Sequence, residues 1–136
     1  QMTNAEGGCL CGAVRYRVTG EPVRTMNCHC RNCQRTSGSA LSTIALFPKD
    51  ALSVTGQTKG YEYAGDSGGK LEINFCPECG APIFLNILSM PQIVSVKIGS
   101  FDDPTWFKPQ MDIWTASRQP WLVSDSQRPE FEHNAK

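Results

Sequence analysis

At 136 residues the chain has the length of one domain, and residues 1–136 are expected to form a single domain. Apolar residues make up 40% of it, enough for a core, which excludes a disordered segment. Thirteen basic residues balance thirteen acidic ones, so nucleic acid is excluded as the expected partner, and no apolar run reaches the length of a membrane-spanning helix.

The first residues, QMTNAEGG, lack the charged-then-apolar pattern of a secretory leader. Val14, Tyr16 and Val18 then alternate with Arg15, Arg17 and Thr19, which predicts a half-buried strand over 14–19. Arg31–Ser37 is the one stretch that reads as helix, about two turns long. A short apolar strand is expected over 42–47, ended by Pro48. The turn Gly65-Asp66-Ser67-Gly68-Gly69 separates 60–63 from 71–75 and predicts a hairpin. Further strands are expected over 83–87, 93–98 and 111–115. Twelve glycines and nine prolines punctuate the remainder. The class is mainly β with little helix, and the short connections favour antiparallel pairing.

Seven cysteines dominate the chemistry, at Cys9, Cys11, Cys28, Cys30, Cys33, Cys76 and Cys79. An odd number leaves one thiol outside any complete disulfide framework. Their grouping as C-x-C, C-x-C-x-x-C and C-x-x-C instead reads as metal ligation in a reducing compartment, here the cytoplasm. Cys76-Pro77-Glu78-Cys79-Gly80 has the form of a zinc knuckle, in which Gly80 frees the backbone to fold beneath the ion. Cys9 and Cys11 are the natural second pair. Residues i and i+2 of an extended chain point the same way, so both can face one ion while Leu10 turns away. The same geometry puts Cys28 and Cys30 on one side and His29 on the other, and Cys33 returns through the helical turn. Four plus three accounts for every cysteine. It predicts two zinc ions per chain, one closed structural site and one three-cysteine site with a free position of the kind catalytic zinc keeps. Another partition, or His29 as a fourth ligand, remains open at this point.

Other chemistry fits less well. A zinc deaminase needs H-x-E, but His29 is followed by Cys30 and Arg31. No βαβ setting supports a thioredoxin-type site. Asp102, Asp103 and Asp125 read as solvated loop acids. Trp106, Phe107, Trp114 and Trp121 read as core and cleft lining. Arg24, Arg31, Arg35 and Lys97 read as surface charge that could also meet a carboxylate.

Three segments in this order carry a resemblance. They are Gly8-Cys9-Leu10-Cys11-Gly12-Ala13-Val14-Arg15-Tyr16, Cys28-His29-Cys30-Arg31-Asn32-Cys33-Gln34-Arg35 and Phe75-Cys76-Pro77-Glu78-Cys79-Gly80. Together with Gly99-Ser100-Phe101-Asp102-Asp103-Pro104 and Ser117-Arg118-Gln119-Pro120-Trp121, they resemble the glutathione-dependent formaldehyde-activating enzyme family, whose domain is shared with centromere protein V. The resemblance covers about residues 7–132. It implies a β-tent fold with two zincs. Cys9, Cys11, Cys76 and Cys79 match its structural site, and Cys28, Cys30 and Cys33 its catalytic site. The implied activity is carbon–sulfur lyase chemistry, the condensation of glutathione with formaldehyde. Where such proteins often carry a histidine, this chain has Asp112. The other reading left open is a non-enzymatic zinc module that binds a protein partner.

Overall fold

Alternation of side chains along the strands decides how this chain layers itself. The computed structural model describes residues 4–124 and 127–135. Strands β1 (Asn4–Gly8), β2 (Arg15–Thr19) and β3 (Arg24–Cys28) precede the helix α1 (Arg31–Ser37). Strands β4 (Ser42–Pro48), β5 (Leu52–Thr55), β6 (Lys59–Ala64), β7 (Lys70–Phe75), β8 (Pro82–Ile87), β9 (Ile93–Lys97) and β10 (Met111–Ile113) follow. They form a three-stranded sheet, β1-β2-β5, and a seven-stranded sheet, β10-β3-β4-β9-β8-β7-β6. The mainly β class expected from the sequence is the class observed.

The interior strand β4 feeds two cores at once. Ala45 and Phe47 enter a cluster with Tyr16 and Val18 of β2 and with Val14 just before it, so one face of the large sheet packs on the small one. Ile44 and Leu46 point the other way, toward Met26, Cys28 and Ile113. Strand β9 repeats the pattern: Val94 and Val96 are buried in the first core. Ser95 and Lys97 line a cavity instead. Phe101 ties the sheets together, with its ring edge-on to Tyr16 at 5.4 Å and a bridge from its backbone to Gly7.

Differences from the sequence reading have local causes. Strand β1, NAEGG, carries no apolar alternation; backbone pairing with β2 makes it a strand. Its Gly7 is required by crowding, since a Cβ there would lie 2.3 Å from the Ser100 carbonyl oxygen. Strand β3 reads as polar, yet Thr25, Met26, Asn27 and Cys28 are all buried because it lies between β4 and β10. Strand β5, LSVT, is short and half-exposed. The expected antiparallel pairing fails at one place: β10 runs parallel to β3, with Asp112 beside Asn27 and Ile113 beside Cys28. A long excursion from β9 permits that direction. The strand expected over 111–115 stops at Ile113 because Trp114 turns into the left-handed region at φ 58°. The strand expected over 93–98 stops at Lys97, and Ile98 opens a 3-10 turn.

Among the aromatics expected in the core or cleft, Trp106 and Phe107 pack on the first core, and Trp114 lines the cavity. Trp121 does neither in the expected way; it is 69% exposed on the rim of a shallow groove beside α1. Asp125 lies outside the described residues.

Candidate metal centres and the cavity beside the second

The seven thiols fall into two groups. Cys9 and Cys11 come from the loop between β1 and β2, and Cys76 and Cys79 from the knuckle between β7 and β8. Their four sulfurs all lie within 4.8 Å of one another. The Cys9–Cys11 and Cys11–Cys76 separations are 3.7 and 3.8 Å. Sulfurs at about 2.3 Å from one tetrahedral ion stand about 3.8 Å apart, so the group fits such an ion. Leu10 is 87% exposed, as alternation requires. Gly80 takes φ 80° and its N–H donates to the Cys76 carbonyl, closing the knuckle.

Backbone amides point at these sulfurs. Val14 N–H donates to Cys9 Sγ at 3.2 Å and Glu78 N–H to Cys76 Sγ at 3.3 Å. Amide donors favour sulfur as thiolate, the form that ligates metal. Desolvation raises the Cys9 thiol, but the Val14 amide and the neighbouring sulfurs outweigh it and bring it down to about 6.

The second group is Cys28, Cys30 and Cys33, again with all sulfurs within 4.8 Å. Cys28 ends β3, Cys30 caps α1 and Cys33 sits in its first turn. Cys30 is extended, at φ −65° and ψ 155°, and its sulfur accepts from Cys33 N–H at 3.3 Å. Contacts from Cys28 and then Cys33 pull the Cys30 thiol down to about 3, and contacts with Cys30 and then Cys33, with burial, push Cys28 far up.

His29 takes no part in that cluster. It is buried on the opposite side, with Nε2 3.6 Å from Asp112 Oδ2, and burial keeps its imidazole neutral by pushing its pKa down. The sequence reading that left His29 open as a ligand is therefore closed by direction alone. Asp112, 2% exposed, is the hub. Asn27 Nδ2 and Arg128 Nε donate to its Oδ1 at 3.1 and 2.9 Å, and Arg118 Nη2 to Oδ2 at 3.1 Å. Gln34 secures the loop from α1, its Nε2 donating to the His29 and Ser117 carbonyls at 2.7 and 3.0 Å.

A cavity of about 380 Å3 opens beside the second cluster. Cys28, Cys30 and Cys33 form one wall, with Tyr63 and Lys97 also lining it. Lys97 corrects the surface reading: it is 8% exposed and donates from Nζ to Ser42 Oγ at 2.7 Å. At Cys33 the contact with Cys28 and the charge of Lys97 favour thiolate, while the contact with Cys30 and burial oppose it and prevail. The sequence reading placed Lys97 on the surface, although its alternation with Val94 and Val96 was the available signal for the cavity face. Arg24 lines the cavity too, whereas Arg31 and Arg35 lie along the shallow groove with Trp121. Asp102 is paired with Arg15 in solvent, and Asp103 accepts from Thr105.

A mainly β chain that gathers four cysteines between its sheets and three against a cavity belongs to a class defined by paired cysteine clusters able to hold metal. Residues 4–117 match the family described as glutathione-dependent formaldehyde-activating enzyme, and the chain belongs to that family. A relative from Halomonas elongata is 27% identical over 127 residues, covering 89% of this chain and 81% of its own length. One from Phaeosphaeria nodorum is 26% identical over 114 residues, covering 80% of this chain. Both are provisionally named glutathione-dependent formaldehyde-activating enzymes. The chain spans 60% of the Phaeosphaeria relative's length. A crystal structure of a Rhodobacter sphaeroides protein shares the fold, with a TM-score of 0.56 and 18% identity, over 92% of this chain and 98% of that one. Among the described residues, no helix is long and apolar enough to cross a membrane.

Asp112→Ala leaves two arginines and an asparagine facing a vacated site, and is expected to destabilise the fold by about 3–5 kcal/mol. Urea unfolding measures this. Burial raises the Asp112 carboxyl, but Arg128 and Asn27 outweigh it and hold it below the ordinary carboxylate range. The network's contribution is thus in place above about pH 4 and is lost as pH falls through the depressed folded value. The variant should lack that acid-limb loss of stability.

Proposed function

We propose that the chain is a single zinc-binding domain acting as a carbon–sulfur lyase of the S-(hydroxymethyl)glutathione synthase type, working on a thiol such as glutathione and a small aldehyde in the cytoplasm. Cys9, Cys11, Cys76 and Cys79 hold a structural zinc, and Cys28, Cys30 and Cys33 hold a second. The observation that carries the reading is the three-sulfur group on a cavity wall, with no fourth His, Cys, Asp or Glu donor gathered to it among the described residues.

A zinc ion there would supply a place where a substrate thiol sheds its proton and is held as thiolate. The chain's own residues do the rest. The Cys33 amide favours negative sulfur at Cys30. Lys97 places a cationic side chain on the cavity wall that the incoming sulfur meets. The Asp112 network holds Asn27, the residue before Cys28, β10 holds the next residue through the His29 N–H donating to the Ile113 carbonyl, and Gln34 fixes α1 behind them. The partly enclosed cavity brings thiol and carbonyl together, and positioning alone is a large effect for a reaction of two molecules. In the addition, a carbon–sulfur bond forms and the carbonyl π pair passes to oxygen, which takes up a proton. A protein-interaction module would need neither an incomplete cluster nor a cavity against it.

Two variants separate the sites. Cys79→Ser should leave the chain unfolded or insoluble, because binding energy at a closed site is folding energy. Cys30→Ser should give a folded domain that retains about one zinc per chain by metal analysis. Identical behaviour of the two would remove the structural and catalytic division. For the substrate, titration calorimetry in two buffers of different ionisation enthalpy should show glutathione binding with release of a proton, and S-methylglutathione binding at least tenfold more weakly. Equal binding of the two would refute thiolate capture.

A further inference from the structure

The thiol chemistry proposed for the second cluster provides for the sulfur and leaves the other reacting atom without a partner. As sulfur adds to a carbonyl, negative charge passes to the oxygen two bonds away. A fixed donor aimed at such developing charge is often the largest single aid to reaction. Strand pairing puts Lys97 in that place. Ser42 lies opposite Cys28 across the antiparallel β3–β4 pair, and opposite residues share a face with Cβ atoms about 5 Å apart. Ile44, two residues further along that face, lies opposite Lys97 of β9. The Lys97 side chain reaches back to Ser42, with its Nζ 2.7 Å from the Ser42 Oγ. It thus ends about one side chain away from the Cys28 sulfur, in the cavity that all three cysteines line. Lysine is seldom buried unless a carboxylate pairs with it. Lys97 is buried, its anchor Ser42 is 2% exposed, and among the described residues no Asp or Glu pairs with it. A lysine side chain has three N–H donors, and Ser42 takes one. Two other donors on the cavity wall serve less well. Arg24 stands four residues before Cys28 on β3, about 13 Å along the strand. Tyr63 comes from the edge strand β6, and among the described residues no hydrogen bond orients its hydroxyl.

We propose that Lys97 is a catalytic residue of this site: its Nζ donates a hydrogen bond to the aldehyde oxygen as the thiol sulfur adds, and Ser42 positions it. This rests on the proposed thiol chemistry of Cys28, Cys30 and Cys33. In the step, the sulfur–carbon bond forms and the carbonyl π pair becomes a lone pair on oxygen. The oxygen then takes a proton from water, which replaces the one the thiol released, so nothing is oxidised or reduced. Lys97 ends as it began.

Thioacetate tests this without turnover, because its sulfur and oxygen sit on one carbon as they do in the adduct. Ethanethiol presents sulfur alone. Titration calorimetry measures the binding of each to the zinc-loaded full chain as wild type, Lys97→Met and Lys97→Arg, with zinc content checked in all three. Lys97→Met should bind thioacetate about tenfold more weakly and ethanethiol within about twofold of wild type, with Lys97→Arg between. In a rate arm, glutathione is added to formaldehyde and compared with the uncatalysed reaction. There Lys97→Met should lower kcat about tenfold at an unchanged KM for glutathione. A lysine that merely balances thiolate charge would weaken both ligands alike, lose zinc or raise KM, and any of these overturns the proposal. So does thioacetate affinity that responds to Tyr63→Phe and not to Lys97→Met. Should Lys97→Met fail to fold, Ser42→Ala repeats the comparison, since it keeps the cation and removes its anchor. An unchanged ratio of thioacetate to ethanethiol affinity in Ser42→Ala would then overturn the proposal. Wild type and Lys97→Met accelerating the addition equally would remove Lys97 and leave the lyase reading intact. Wild type that binds both ligands and accelerates nothing would sink the lyase reading and the role of Lys97 with it.

Discussion

Thiolates repel one another, and this chain presses seven cysteine sulfurs into two small volumes, each able to hold a metal ion. That constraint organises the molecule. Each cluster lies where strands end, because only there can backbone amides turn toward sulfur and lower the cost of its charge. The first cluster draws its ligands from both sheets, two from the turn after β1 and two from the knuckle after β7. It therefore stands at the junction that the Val14, Tyr16 and Phe47 core also closes. The second lies on the other face, against Met26 and Ile113. Closure between sheets suits a structural ion, and a place at a cavity wall suits one that meets substrate.

The second cluster has a support of its own. Three ligands on a short loop and two helical turns would wander unless something fixed the loop from behind. Strand β10 does so from a parallel position, Asp112 through Asn27 and Ile113 through the His29 backbone N–H, and Asp112 is itself held by Arg118 and Arg128. A carboxylate with this many donors accepts burial that would otherwise protonate it. Family resemblance suggests a histidine at this place. With aspartate the local network is anionic at its centre and recruits arginines, so the loop is held by charge-assisted hydrogen bonds.

Much of this could be read from the chain, and the failures are instructive. Strand β2 and the β6–β7 hairpin announce themselves by period and turn residues. The helix shows its ends in Cys30 and in Gly38, which takes φ 64°. Cysteine spacing grouped the sulfurs as they are grouped in space. Strands β1 and β3 were invisible because neighbours, not their own side chains, make them strands. Parallel pairing of β10 was hidden because direction depends on a long excursion that carries no local signal. Lys97 was read as surface charge. A charged residue in an apolar strand looks like a surface position until the alternation is followed to the face it occupies.

The central claim is that the seven sulfurs hold two ions, one completely and one with room to spare. Anomalous diffraction above and below the zinc absorption edge, on crystals grown without chelator, tests it directly. The account predicts two zinc peaks per chain. One should lie about 2.3 Å from the four sulfurs of Cys9, Cys11, Cys76 and Cys79, and the other at the same distance from three, Cys28, Cys30 and Cys33, with its fourth ligand not from the protein. A single peak, a fourth protein ligand at the second, or sulfurs joined in disulfides without zinc would contradict it.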